Sequence, residues 1–190
     1  MIPPFSGFKP QNPKSQKPSS FIVGFLLYCM QEKLKVGIFS FTGDEGCVIQ
    51  FLEILNYKFF DWVDKVEFKN ARVLKSGNEI SPLDVAFIEG AISNTKEEEK
   101  LKAIRAASKK VVAIGSCAIN GAPSNHRNFF DEKTKKEILP ILQRFNHREK
   151  VVPIYDLIAV DAQVPGCPII EKTFCDIMDQ YLKEFGVVKN

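Results

Sequence analysis

The 190-residue chain predicts an α/β domain built on a mainly parallel sheet. Two observations carry this. From Lys35 onward, short apolar runs alternate with segments of helical spacing, the pattern of strands joined by crossover helices. Three of the runs are followed by glycine-flanked turns, each holding a cysteine: Thr42-Gly43-Asp44-Glu45-Gly46-Cys47, Gly115-Ser116-Cys117-Ala118 and Val164-Pro165-Gly166-Cys167-Pro168.

The elements follow in order. Residues 1–20 mix proline with Ser, Lys, Gln and Asn, a composition that buries no core and reads as a flexible tail. Residues 21–33 have the apolar content of a short helix, although Met30 also reads as a natural start leading into the first strand. Val36–Phe41 is a buried-type strand. Cys47–Asn56 has helical spacing, with Val48, Phe51, Leu52 and Leu55 on one face. Trp62–Leu74 alternates in part and holds a second strand, and Asp84–Ile88 is a third. Thr95–Ser108 is a charged amphipathic helix, with Asn94 or Thr95 as cap and Glu97–Glu99 in its first turn. Val111–Gly115 is a fourth strand, Asp131–Phe145 a helix, Val151–Val160 a further strand and Ile169–Phe185 a final helix. This divides the chain into an N-terminal extension, 1–34, and one domain, 35–190.

Composition narrows the function. A hydrophobic share of 45% is ordinary for a soluble domain. The formal charge is +3. Residues 1–35 carry +4 of it, from Lys9, Lys14, Lys17, Lys33 and Lys35 against Glu32, so the remainder is slightly acidic. No basic stripe marks a nucleic-acid surface. The apolar run Phe21–Met30 spans only about ten residues, too few to cross a bilayer, and no secretory signal precedes it. With five cysteines, an odd number, and no leader, the expected setting is a reducing cytoplasm.

In a parallel sheet, ligands gather beyond the carboxyl ends of the strands. The three cysteine turns should therefore meet at that edge, where thiolates suit an iron–sulfur cluster or a zinc ion better than a disulfide. The plainer account of each is a buried free thiol. Cys29 belongs to no motif. Cys175, two helical turns after Cys167, reads as core. His126 and His147 stand alone in the sequence, His126 in a surface loop. Ser116 lacks a His/Asp pair for nucleophilic catalysis, and no phosphate-binding glycine loop appears.

Taken together, Thr-Gly-x-x-Gly-Cys after the first strand, Ile88-Glu89-Gly90-Ala91-Ile92 after the third, Gly-Ser-Cys-Ala after the fourth, Pro-Gly-Cys-Pro near the end and the Arg127-Asn128 pair resemble the small subunit of nickel–iron hydrogenases. The wider superfamily includes the 20 kDa-type subunit of NADH:quinone oxidoreductase. The resemblance covers about residues 35–185. It implies a flavodoxin-like three-layer fold holding one proximal 4Fe–4S cluster, with its ligands at Asp44, Cys47, Cys117 and Cys167. Asp44 is a departure, because the family pattern has cysteine there. Its carboxylate is a hard anionic donor to the fourth iron; the alternatives are water at that iron, a 3Fe–4S cluster, or a solvated turn residue. Glu89 matches a family glutamate, for which a proton path, an interface role and a hydrogen bond to a loop backbone are all open.

The resemblance further implies an oxidoreductase subunit whose catalytic metal sits in a partner, the hydrogenase large subunit. Electrons would pass to a diaphorase or ferredoxin-like subunit, with no nucleic acid and no membrane span involved. Adjacent paired cysteines typical of the respiratory branch are absent at Cys47. That leaves a respiratory-complex cluster subunit as the first alternative and a clusterless scaffold as the second.

Overall fold

Residues 32–74 and 80–189 are described by the structure, a computed structural model. The expected tail and helix before residue 32 lie outside the described residues. Seven strands are defined in this range. β1 (Leu34–Ser40), β2 (Val66–Ala71), β3 (Leu83–Glu89), β5 (Ser108–Ile114) and β7 (Ala162–Val164) form one sheet, and β4 (Ile92–Asn94) and β6 (His147–Val152) pair separately. The helices are α1 (Gly46–Trp62), α2 (Thr95–Ala107), α3 (Gly115–Asn120), α4 (Glu132–Arg144) and α5 (Glu171–Glu184).

The main sheet runs in the order β2-β1-β3-β5-β7, and all its pairings are parallel. Counting only the strands of this sheet, that is the flavodoxin-like order 2-1-3-4-5. Its central strands β1 and β3 and the second half of β5 are largely apolar on both faces, as a sheet covered by helices on each side requires. Val85 and Phe87 of β3 face a core with Phe51 and Ile54 of α1 and Phe174 and Met178 of α5. Their neighbours Ala86 and Ile88 face the opposite core, with Leu101 and Ile104 of α2. The period-2 alternation of a strand thus serves two helical layers at once. Phe174 centres the first core, its ring 4.9 Å from that of Phe87 and 5.8 Å from that of Phe51.

Caps fix the helix starts. The Asn94 side chain accepts the Glu97 N–H at 2.9 Å, with Glu97 and Glu98 in the first turn of α2. Asp131 accepts the Thr134 N–H at 2.7 Å at the start of α4.

One expected strand is displaced. Of Val151–Val160 only Val151 and Val152 are strand, at the end of β6. β6 begins at His147 and ends at Val152, followed by Pro153 and the 3-10 turn Ile154–Asp156. Proline has no N–H to donate to a ladder, so the strand stops before it. β6 pairs antiparallel with β4, outside the main sheet. The fifth strand of the main sheet is the short β7, directly before the third cysteine turn. The helix after Cys47 is also longer than predicted, continuing to Trp62. Among the described residues, no helix is long and apolar enough to cross a membrane.

Candidate metal centre

β1 and β3 flank the point where the chain's strand order reverses, the crevice where ligands bind in folds of this topology. β1 delivers the loop holding Asp44 and, at the second position of α1, Cys47. β3 ends on Glu89. β5 leads into α3, which carries Cys117, and β7 leads into the turn with Cys167. Asp44, Cys47, Glu89, Cys117 and Cys167 all line one cavity of about 80 Å3, together with Ser116 and Pro168. Cys175 is not among its walls and packs partly buried against the first core. Cys117 differs in setting from expectation: it lies within the short helix α3, not in an open turn.

Backbone bonds lace the loops together. Thr42 and Ala91 exchange N–H···O bonds of 3.0 and 2.8 Å, joining the loops after β1 and β3. Ser116 donates to the Gly166 carbonyl from its N–H at 2.8 Å and its hydroxyl at 3.1 Å, joining the second and third cysteine loops. Two glycines are needed for close approach. Gly115 has φ +80°, and a Cβ there would collide with Cys47 Sγ. Gly166 has φ +123°, and a Cβ there would collide with the Pro168 carbonyl. The glycine ahead of Ser116-Cys117 thus makes room for another loop's thiol.

Burial differs among the thiols. Cys47 is buried, Cys117 half-buried and Cys167 exposed. Burial, with the neighbouring Glu89 charge second, pushes the Cys47 thiol up to about 12, against a hydrogen bond from the Ile169 backbone. Glu89 is only 3% exposed. Its Oε1 accepts the Cys47 N–H at 2.9 Å, and Ser40 Oγ donates to its other oxygen at 3.4 Å. Burial raises its carboxyl above the usual range, opposed by the bond from Cys47. Of the three roles open to Glu89, the backbone hydrogen bond is the one seen.

Asp44 is exposed, and its Oδ1 accepts the Gly46 N–H at 3.0 Å, the local bond of an Asx turn. That bond uses part of a carboxylate's acceptor capacity and leaves the rest for a cation. Glu45 follows with φ 59°, directly before α1.

Two contacts gave no signal in the sequence. Ser124 Oγ donates to Cys117 Sγ at 3.2 Å. His147 Nδ1 lies 3.2 Å from Ser93 Oγ, which also bonds Glu97, so His147 is not isolated in space. His126 is exposed, its ring edge-on to Phe130. The Arg127–Asn128 pair has a structural use. Asn128 brackets Val151, donating to its carbonyl at 2.7 Å and accepting its N–H at 2.9 Å. Arg127 donates to the Arg148 carbonyl at 2.7 Å.

Chemically, the donor set is three thiols and a carboxylate. Among the described residues, no three metal-ligating side chains are grouped as for one ion. Zinc holds all its donors within about 2.0–2.3 Å of a single point. An iron–sulfur cluster takes its thiolates at separate irons, and so suits donors spread around a cavity wall.

The family described as NADH ubiquinone oxidoreductase, 20 Kd subunit, matches residues 45–181, and the chain belongs to it. One subunit of the F420-non-reducing hydrogenase of Methanothermobacter marburgensis is 28% identical over 170 residues, 81% of this chain and 55% of that protein. A vhu-type subunit of the F420-non-reducing hydrogenase of Methanocaldococcus jannaschii is 31% identical over 156 residues, 75% of this chain and 54% of that protein. The chain spans about half the length of these curated relatives. Among solved structures, a chain of an NAD+-reducing NiFe-hydrogenase in the H2-reduced state superposes with a TM-score of 0.69 at 26% identity, covering 80% of this chain and 92% of that one.

Proposed function

We propose that this chain is the electron-transfer small subunit of a cytoplasmic nickel–iron hydrogenase, with one proximal iron–sulfur cluster held by Cys47, Cys117 and Cys167 and with Asp44 as the fourth donor. The observation that carries this reading is the cavity itself. Three cysteines far apart in sequence and Asp44 line it at the carboxyl edge of the sheet. The relatives' names support it, since both are hydrogenase subunits.

When bound, the cluster supplies one-electron storage and transfer. The chain's own residues do the rest. Cys47, Cys117 and Cys167 provide soft anionic donors. Glu89 fixes the backbone at Cys47, and Gly115 clears the space its sulfur needs. Asp44 supplies a harder oxygen donor on the exposed side.

Hydrogen turnover belongs, in this reading, to a large-subunit partner, and electrons pass on to a diaphorase or ferredoxin-like subunit. Phe129, on the loop that returns from α3, is 76% exposed and offers that partner an apolar contact.

Co-expression with a nickel–iron hydrogenase large subunit tests the assignment. A stable complex that reduces a dye with hydrogen is the expected result. A monodisperse, air-stable monomer that ignores every candidate large subunit contradicts it.

A further inference from the structure

Ser124 reaches Cys117 by a route with little slack. Gly121, at φ 83°, ends α3 in the left-handed conformation, and its N–H donates to the Cys117 carbonyl at 3.0 Å. The chain then folds back. The Asn125 N–H donates to the Gly121 carbonyl at 2.8 Å, and its side-chain amide to the Asn120 carbonyl at 3.2 Å. Beyond Asn125, the bonds of Arg127 and Asn128 to the β6 backbone hold the far end. Ser124 therefore sits between two anchored points, with its hydroxyl 3.2 Å from Cys117 Sγ.

Resting on the cluster reading above, we propose that Ser124 is a positioning residue for the metal centre. Its hydroxyl holds Cys117 Sγ in place and tunes the reduction potential through an O–H···S bond. The physical reason is charge. Adding an electron increases negative charge on the cluster and its thiolates, and a donor aimed at a ligand sulfur stabilises that added charge. Hydrogen bonds to ligand sulfurs are one of the means by which a protein sets cluster potential. The bond therefore favours the reduced state and raises the potential.

The test uses the full chain, reconstituted anaerobically with ferrous iron and sulfide, as wild type, Ser124→Ala and Ser124→Thr. Iron content, thermal midpoint and a redox titration followed by electron paramagnetic resonance are measured on each. The expected result is a shift to lower potential in Ser124→Ala at unchanged thermal midpoint, with Ser124→Thr returning toward wild type. Iron lost from the alanine variant but kept by the threonine variant also supports the proposal, because it shows the hydroxyl holding Cys117. A Ser124→Ala protein that keeps its iron and titrates at the wild-type potential overturns it, as does equal iron loss from both variants. A wild-type chain that takes up no iron defeats the cluster reading itself, and the inference with it. That failure appears in the wild type alone, and so is distinct from a failure of Ser124.

Discussion

The carboxylate of Glu89, at the end of β3, accepts the backbone N–H of Cys47, at the start of α1, across 2.9 Å. A buried acid from the sheet thereby fixes the first turn of the helix that presents the innermost thiol. The arrangement also places a negative group beside a thiol that burial already keeps neutral.

Removing the acceptor should be costly. Glu89→Ala leaves the Cys47 N–H buried without this partner, and urea denaturation of the metal-free chain should show a loss of about 1–3 kcal/mol. Glu89→Gln keeps an acceptor oxygen and should lose less. Equal stability of the two variants would contradict the anchoring role.

Thiol chemistry has a defined pH dependence. The Cys47 thiol is raised from 9.0 to about 12, above its value in an unfolded chain. Its stabilising contribution is therefore complete below about pH 9 and is lost as the pH rises through about 12. In the metal-free native chain at pH 8, iodoacetamide should label, among Cys47, Cys117, Cys167 and Cys175, exposed Cys167 first and Cys47 last. At pH 10, Glu89→Gln should label faster at Cys47 than wild type does. Early labelling of Cys47 at pH 8 would show the thiol to be neither buried nor raised.

Gly115 tolerates no side chain. Gly115→Ala puts a Cβ into Cys47 Sγ and forces alanine into the left-handed region, a backbone strain of about 1–3 kcal/mol. The variant should unfold at lower urea and hold less iron after reconstitution. Wild-type stability and iron content would contradict the close approach of the two loops.

Asp44 is tested by replacement in both directions. Asp44→Cys should hold iron at least as well as wild type and shift the potential, because a thiolate replaces a harder oxygen. Asp44→Ala should weaken iron retention and alter the spectrum. An unchanged spectrum and iron content in Asp44→Ala would remove Asp44 from the ligand set and leave it as the acceptor of the Asx turn.

Away from the site, Asn94→Ala should cost about 1 kcal/mol by removing the cap of α2. The thermal midpoint should fall, with iron content unchanged.

The legibility of the fold followed burial. β1, β3 and Val111–Ile114 of β5 are largely apolar on both faces and are plain in the sequence. β6 reads His-Arg-Glu-Lys before Val151, because most of it faces solvent, and its charge hides it. β7 has only three residues, too few for any period to show. The cysteines of the site are legible because each sits in its own motif. Ser124 is not, because its role depends on a loop folding back seven residues after Cys117, and neither residue type nor spacing marks that. Glu89 stands out by position, but its bond to Cys47 depends on the end of β3 and the start of α1 meeting in space.

Iron and sulfide uptake by the full chain and its single-cysteine variants bears most directly on the cluster. After anaerobic reconstitution, wild type should be brown and carry about four irons and four sulfides per chain, as a cubane cluster requires, or about three irons if the Asp44 corner is open. Cys47→Ser, Cys117→Ser and Cys167→Ser should each lose most of the iron and colour, while Cys175→Ser keeps both. A colourless wild-type chain, or serine variants that hold as much iron as wild type, would contradict the claim that these three thiols carry a cluster.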